Sequence, residues 1–471
     1  MSILNAPDIS LKALFKLAGP IFIANISVIL SGTIDTIMGG QLGKDHLAAI
    51  GLGLAATLLV YLSLAGILQS LSPIAGHHYG SQKFTEVGDE VQQNIWLGVL
   101  LTFVGMPLLL NTEFWINLGG ASGEVADMAR TYMWCSGLTI TFCFWGRTFI
   151  SVNSAISRPR LTMYVSLIML ALKAPLNAVF MYGLFGMPEM GGAGAGISFA
   201  LLNIIGFFCY YAIWRFDKYC HKFHSTRFMW PNWKLLKEQL HVGVPIGLSS
   251  FFEVSSFTLM AIFVSRLGAE YMSAHQIVSN VTSMLYMVPL SMGIATSVLV
   301  SQSLGATWPS MAYAAMKRAL AVTVCIAVVL VTILFFARPF IMELYSSDQS
   351  VRVVAGTVLI AACIYHVFDS IQCVSGFALR GYRITKLPMA IYGTLLWGCG
   401  LGGGYYLGFH AEWAGGPFGI YGFWGATAFA LVITGLAIGA MALWIGRSRA
   451  RDDEHTPEQI AAALRHHGDP L

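Results

Sequence analysis

The chain is dominated by long apolar stretches that carry almost no charged side chains, such as the run from Leu320 to Ala337. A helix needs about 20 apolar residues to cross the hydrocarbon layer of a membrane. Backbone groups in lipid must be hydrogen-bonded within helices or a closed barrel, and barrel strands alternate in short segments. The unbroken runs therefore exclude a barrel and predict an all-α polytopic membrane protein.

Composition supports this prediction and narrows the possible functions. Of the 471 residues, 56% are hydrophobic and 11% are charged, whereas soluble domains average about 25% charged residues. The eight cysteines are scattered without a CxxC pair, so we expect packing residues and neither a disulfide framework nor a zinc site. We find no nucleotide-binding, zinc-protease or nucleophile-elbow motif, and we predict no enzyme, no cofactor and no nucleic-acid partner.

We predict twelve transmembrane spans. Their approximate ranges are 13–38, 46–72, 94–116, 129–150, 160–183, 193–215, 240–265, 272–302, 317–341, 350–375, 384–408 and 419–446. The start of the chain lacks the short apolar core and cleavage site of a secretory signal, so we expect the first span to be retained. The glycine-rich segment 191–196 lacks the ending of a phosphate loop, and we expect it to allow close helix packing.

The distribution of lysine and arginine predicts the orientation of these spans. Most of these residues lie at one set of span ends, in the linker between spans 6 and 7, and in the tail. The opposite side has only Lys44, Arg130, Arg266, Arg338 and Arg352. Because cytoplasmic loops carry the excess of positive charge, we expect both termini in the cytoplasm. In the tail, His466 and His467 are candidate metal ligands, although a solvated tail is the favoured interpretation.

The two halves of the chain resemble each other at a constant offset of 225 residues. LAGPIFI (17–23) resembles VGVPIGL (242–248), QLG (41–43) resembles RLG (266–268), and HHYGSQ (77–82) resembles QSLGAT (302–307). Parallel repeats of this kind place a transport site at the interface between the halves. We predict two pseudo-symmetric six-helix bundles. The predicted domains are the N-terminal bundle (1–215), a cytoplasmic linker (216–239), the C-terminal bundle (240–446) and a cytoplasmic tail (447–471).

Three carboxylates lie within predicted spans: Asp35, Glu253 and Asp369. Each costs about 2.5–3.5 kcal/mol to insert at the centre of a membrane helix. A chain that keeps three such acids is expected to use them for ions, protons or cationic solutes. The alternative is a set of structural hydrogen-bond anchors between helices.

Polar and aromatic residues near these acids suggest cation binding. Tyr365 precedes Asp369 by four residues and shares its helix face, while Gln276 and Tyr286 lie three turns apart on span 8. Asn177 on span 5 is a candidate oxygen ligand, together with carbonyls freed by Pro20 and Pro175. Candidate apolar walls that suit a lipophilic cation come from Phe251, Phe252, Phe257, Phe263, Tyr286 and Phe368.

Lys173 is the unusual residue of span 5, because an amine at bilayer depth is costly unless it is paired or reaches water. It either pairs with Asp35, which would occupy the position that a cation would use, or it is buried without its proton. The sequence leaves both alternatives open.

Several stretches resemble the multidrug and toxic compound extrusion (MATE) transporters of the NorM branch. They are IDTIMGGQLG (34–43), MYGLFGMPEMGGAG (181–194), FFEVSSF (251–257), AHQIVSNVTSMLYMVPLSM (274–292) and YHVFDSIQCVSGFALRGYR (365–383). The resemblance implies two bundles arranged as a V and alternating access driven by an ion gradient.

The resemblance also implies roles for individual residues. It places cation and drug binding in the C-terminal bundle on Glu253, Gln276, Tyr286, Tyr365 and Asp369, with Glu253, Asp369 and Tyr286 as Na⁺ ligands. In the N-terminal bundle it assigns coupling to Asp35 and Asn177. The chain departs from the family at Lys173, where relatives usually carry asparagine, and at Ile384, which replaces a common acid.

From these observations we expect a monomeric antiporter of the bacterial inner membrane. It would export small cationic molecules, such as dyes and cationic antimicrobials, in exchange for Na⁺ or H⁺. One alternative is a flippase for a lipid-linked precursor, although an anionic lipid would require a cavity rich in arginine and lysine. Another is a passive channel or a structural membrane protein.

Overall fold

The computed structural model describes residues 6–223, 228–412, 415–456, 458–460 and 462, which form helices joined by short loops. The first eight α-helices are α1 (Leu11–Leu42), α2 (Lys44–Leu68), α3 (Leu71–Gly80), α4 (Phe84–Leu110), α5 (Thr112–Gly119), α6 (Gly123–Ala155), α7 (Pro159–Met181) and α8 (Gly192–Phe216). The remaining ones are α9 (Trp233–Ser265), α10 (Ala269–Gly305), α11 (Pro309–Tyr345), α12 (Gln349–Gly381), α13 (Lys386–Tyr392), α14 (Gly403–Phe409) and α15 (Ile420–Arg451).

The all-α membrane architecture predicted from the sequence is confirmed. In the described part of the chain, ten helical segments are long and apolar enough to cross a membrane, and no β-strand occurs among the described residues. Two predicted spans fall on helices outside these ten. Span 4 lies on α6, which carries several polar and charged residues, and span 11 is divided among α13, a π-helical segment (Gly393–Gly402) and α14.

The backbone repeats at the offset that the sequence predicts. Gly43 and Gly268, which have φ angles of 136° and 117°, separate α1 from α2 and α9 from α10. Gln82 and Thr307 also match, with φ angles of 60° and 65° just before α4 and α11. Positive φ is uncommon outside glycine, so its recurrence at equivalent positions shows that both halves use the same loop conformations.

The glycine-rich segment at the start of α8 permits close helix packing, as predicted. A Cβ atom on Gly194 would lie 2.4 Å from the carbonyl oxygen of Phe180, and one on Gly196 would lie 2.5 Å from the Cα atom of Tyr132. The absence of a side chain therefore lets α8 approach the backbones of α7 and α6.

The chain divides into two compact units. The first contains residues Gly19–Gly247, and its interior includes a polar network in addition to apolar clusters. The side-chain amide of Gln239 donates to the Glu90 carboxylate at 2.6 Å, and the amide of Asn94 donates to the side-chain oxygen of Gln239 at 2.9 Å. Thr148 donates to Asn94 at 2.8 Å. This network joins the start of α9 to α4 and α6.

The second unit combines the described residues up to Ala18 with those from Leu248 onward. Ile9 and Leu14 pack there in an apolar cluster with Trp308. The His455 ring stacks on Trp308 with 3.7 Å between centroids. Burial raises the pKa of the Asp453 carboxyl, but hydrogen bonds from Ser310 and His455 outweigh burial and leave this pKa below its usual value.

These units differ from the predicted division of the chain at positions 215 and 240. The first turns of α1 join the C-terminal unit, whereas the linker and the first half of α9 join the N-terminal unit. Hydrophobic and polar contacts of these segments, rather than their position in the sequence, decide the grouping. Of the predicted tail, His466 and His467 lie outside the described residues.

The packing of α8 against α6 can be tested with matched alanine substitutions. Gly196→Ala places a Cβ against the Tyr132 backbone, and overpacking of this kind costs about 1–3 kcal/mol. Gly425→Ala is the control, because it adds the same methyl group to a helical glycine that has open space around it. Thermal unfolding in detergent should show a lower midpoint for Gly196→Ala only. Equal midpoints for the two variants would contradict the close approach.

Candidate functional site

In the N-terminal unit, Asp35 meets two side chains of α7. The Lys173 ammonium nitrogen lies 2.8 Å from Asp35 Oδ1, and the Asn177 side-chain nitrogen donates to the same oxygen at 2.7 Å. Lys173 and Asn177 are four residues apart and therefore share one face of the helix. At most 2% of each of the three residues is exposed.

This geometry distinguishes between the two alternatives for Lys173, because the structure pairs it with Asp35. A charge removed from water is stabilised only when a partner of opposite charge and further hydrogen bonds compensate for the lost hydration. Lys173 supplies the charge and Asn177 supplies the additional hydrogen bond. The side-chain oxygen of Asn177 itself is buried and has no hydrogen-bond partner.

In the C-terminal unit, Glu253 lies at the end of a hydrogen-bonded chain. The Tyr286 hydroxyl on α10 donates to Glu253 Oε1 at 3.0 Å, and the Cys373 thiol on α12 donates to the Tyr286 hydroxyl at 3.7 Å. Glu253 and Tyr286 are half-buried, whereas Cys373 is buried. Helices α9, α10 and α12 thus meet near one carboxylate, which accepts a hydrogen bond from an uncharged phenol and has Arg380 within electrostatic range.

Asp369 lies on the same stripe of α12 as Tyr365 and Cys373. Its Oδ1 atom accepts a hydrogen bond of 2.9 Å from the side-chain nitrogen of Gln372, and 7% of Asp369 is exposed. Asp369 and Glu253 are close enough to interact electrostatically. Tyr365 is buried, and its ring stacks on Trp424 with 6.2 Å between centroids.

A cluster of three aromatic rings adjoins Glu253 in the sequence of α9. The centroids of Phe251 and Phe252 lie 6.0 Å and 5.9 Å from that of Trp397, which belongs to the π-helical segment. The Trp397 indole N–H donates to the Ser255 hydroxyl at 3.1 Å. π-Helical turns occur often at functional sites, and this one carries the Trp397 ring that packs against Phe251 and Phe252.

Two predicted site residues, Gln276 and Phe263, lie in surroundings that differ from those predicted for the site. Gln276 is exposed on α10, whereas the preceding residue, His275, is buried. Phe263 packs on Phe423 with 6.1 Å between centroids, in the apolar core of the unit rather than with Phe251. The helical spacing of Gln276 and Tyr286 was correct, but spacing alone does not determine which positions are covered by neighbouring helices.

Three residues that were not predicted from the sequence belong to these sites or to buried networks. Gln372 and Cys373 follow Asp369 by three and four residues, a spacing that places them beside it on a helix. That spacing is the signal by which the sequence could have identified Gln372 and Cys373. Glu90 is 2% exposed, but it lies in a polar segment, VGDEVQQN, which resembles a solvated helix end, and no signal in the sequence distinguished it.

The donor set near Asp369 and Glu253 fits a monovalent hard cation, which prefers oxygen ligands. The structure supplies two carboxylates, the Tyr286 hydroxyl, and the side-chain oxygen of Gln372, which is buried without a hydrogen-bond partner. Among the residues that the structure describes, no group of three or more histidine, cysteine or acidic side chains could hold a metal ion. Oxygen atoms of this kind are ligands for a hard cation rather than for a soft metal ion.

The buried pair in the N-terminal unit can be tested with a double-mutant cycle in sodium-free buffer. Lys173→Met leaves the Asp35 carboxylate buried without a counter-charge and should cost about 3–5 kcal/mol. Combining it with Asp35→Asn removes the unpaired charge, so the double variant should recover most of the lost stability. The free energy of unfolding in detergent measures both effects. Strictly additive costs would show that the two side chains do not interact.

Comparison with known families shows the repeat directly. Residues 20–179 and residues 245–405 each match the family model described as MatE. The two matches begin at Pro20 and Pro245, which the repeat alignment pairs. One family unit therefore occurs twice in this chain.

Curated proteins match over nearly the whole length. A "Probable multidrug resistance protein NorM" of Aromatoleum aromaticum is 34% identical over 93% of this chain and 95% of its own length. Another of the same name, from Neisseria meningitidis serogroup B, is 35% identical over 91% of this chain and 92% of its own length. The "Multidrug resistance protein MdtK" of Proteus mirabilis is 29% identical over 93% and 96%.

Solved structures share the fold at low sequence identity. The eukaryotic MATE transporter AtDTX14 superposes with a TM-score of 0.83 at 18% identity, covering 94% of this chain and 98% of that chain. A structure described as MATE in the bent conformation gives a TM-score of 0.84 at 17% identity, covering 96% and 98%. With the family matches in both halves and the full-length relatives, these likenesses show that the chain belongs to the MATE family of transporters, in its NorM branch.

Proposed function

We propose that this protein is a cation-coupled multidrug antiporter that exports organic cations, such as dyes and cationic antimicrobials, in exchange for Na⁺ or H⁺. The observation that carries the proposal is the pair of acids in the C-terminal unit. Glu253 and Asp369 lie within membrane helices, interact electrostatically and are hydrogen-bonded by a phenol and an amide. Both therefore remain available to an exchangeable cation.

Competition for these carboxylates provides the coupling. An ionised carboxylate in an apolar environment is unfavourable unless a proton, a metal ion or an organic cation compensates its charge. Once one of these species is bound, the carboxylate charge is compensated and another cation binds less favourably. Exchange then follows if the coupling ion is taken up on one side of the membrane and the drug on the other, which is what alternating access provides.

The aromatic side chains near Glu253 suit a lipophilic substrate. The ring centroids of Phe251, Phe252 and Trp397 lie 5.9–6.0 Å from one another. Aromatic faces attract cations by about 0.5–2 kcal/mol, depending on how far the pair is removed from water. A broad cluster of rings does not demand one substrate shape, which supports export of several chemically different cations.

Orientation and location form part of the same proposal. The excess of lysine and arginine on one side favours a cytoplasmic position for both termini, and the bacterial relatives support the inner membrane. Asp35 would drive a rearrangement in the N-terminal unit. The protein acts as a transporter rather than an enzyme.

The flippase alternative is less well supported by the charges. A solved relative from Pyrococcus furiosus is described with a reversed polarity of its binding pocket and a different suggested function, so the fold admits other substrates. In this chain, however, the half-buried acid Glu253 accepts a hydrogen bond from the Tyr286 phenol, and the deep cation Lys173 is paired with Asp35. Neither arrangement attracts an anionic pyrophosphate.

The role of the two acids can be tested in cells that lack other efflux pumps. Glu253→Gln or Asp369→Asn should abolish ethidium efflux and resistance, because neither amide can exchange a cation for a proton or Na⁺. Glu270→Gln is the matched control, since Glu270 is an exposed acid at the start of α10, and it should retain efflux. Protein levels are compared by immunoblot of the membranes. Full efflux by a well-expressed Glu253→Gln variant would rule out the proposed role.

A further inference from the structure

The N-terminal unit holds its acid differently from the C-terminal unit. Asp35 Oδ1 accepts from Lys173 at 2.8 Å and from Asn177 at 2.7 Å, and all three side chains are buried. The counter-charge is covalently part of the chain. Hence no ion has to be bound from solution to neutralise this carboxylate.

The Asn177 amide has an unused acceptor beside this pair. Its nitrogen points at Asp35, while its side-chain oxygen is buried without a partner. The Tyr132 hydroxyl, within electrostatic range of Asp35, is also buried without a hydrogen-bond partner. The nitrogen and oxygen ends of the Asn177 amide have nearly the same shape. Rotating the amide would therefore place its oxygen next to the carboxylate. Carboxylate, amide and hydroxyl oxygens are ligands of hard cations.

We propose that the Asp35–Asn177 pair is a latent alkali-cation site and that the Lys173 ammonium is its resident cation. The N-terminal unit of this chain then takes up no exchangeable Na⁺, and the coupling ion binds only at Glu253 and Asp369. What this inference implies for ion coupling rests on the proposed antiport. The cation site itself is tested by ion binding alone. It differs from a purely structural ion pair because it predicts a gain of function when the ammonium is removed.

The test measures equilibrium binding of ²²Na⁺ to the purified full-length protein. The parent carries Glu253→Gln and Asp369→Asn, so that the C-terminal acids do not contribute. To this parent are added Lys173→Asn, Lys173→Asn with Asp35→Asn, and Lys173→Arg. Size-exclusion chromatography checks that each variant is folded.

The parent and Lys173→Arg should bind only background ²²Na⁺, because each keeps a cation beside Asp35. Lys173→Asn should gain about one ion per chain, since a neutral amide adds an oxygen ligand. Adding Asp35→Asn should abolish this gain, which locates the new ion at the carboxylate. A folded Lys173→Asn variant that binds no more ²²Na⁺ than the parent would overturn the proposal.

A second comparison does not depend on the folding of any lysine variant. The parent is compared with the parent carrying Asp35→Asn, and the two should bind equal, background amounts of ²²Na⁺. Higher binding by the parent would show that Na⁺ displaces the lysine from Asp35 and would also overturn the proposal. Because no arm measures transport, loss of drug efflux would contradict the proposed function while leaving this result intact.

Discussion

A carboxylate inside the hydrocarbon layer needs a partner that compensates its charge, and the two halves of the protein surround their acids with different partners. In the N-terminal unit the partner is Lys173, which closes the site around Asp35. In the C-terminal unit Glu253 and Asp369 receive hydrogen bonds from Tyr286 and a neighbouring amide, both uncharged. Arg380 lies within electrostatic range of Glu253, so two carboxylates share one cationic neighbour, and in the proposed function an exchangeable cation compensates the remaining negative charge.

The two halves share a backbone but not their chemistry. Loop conformations recur at the offset of the repeat, whereas the acids do not, because Asp35 aligns with Met260 and Glu253 aligns with Val28. Met260 is buried in the apolar core of its unit, and Val28 is 66% exposed. The repeat therefore specifies how helices begin and end, while function depends on side chains that each half carries independently.

Much of the fold was predictable from the sequence, because the spans and the repeated loops depend on residues that are close together in the sequence. Apolar runs define spans by length, and glycines at positive φ mark the repeated loops. The burial of Glu90 was not predictable, because Gln239, its hydrogen-bond donor, is distant in the sequence. The exposure of Gln276 and the π-helical segment around Trp397 also depend on packing between helices. Hydrophobic periodicity on a single helix contains no information about such neighbours.

In the proposed mechanism, one pair of carboxylates, Glu253 and Asp369, binds the coupling ion and the drug in turn. Ethidium binding to the purified protein, followed by fluorescence anisotropy at increasing Na⁺ and, separately, at decreasing pH, tests this claim, with choline balancing the ionic strength. The apparent affinity for ethidium should fall as Na⁺ or H⁺ rises, without a change in the number of sites. An affinity that is independent of both ions would contradict the claim.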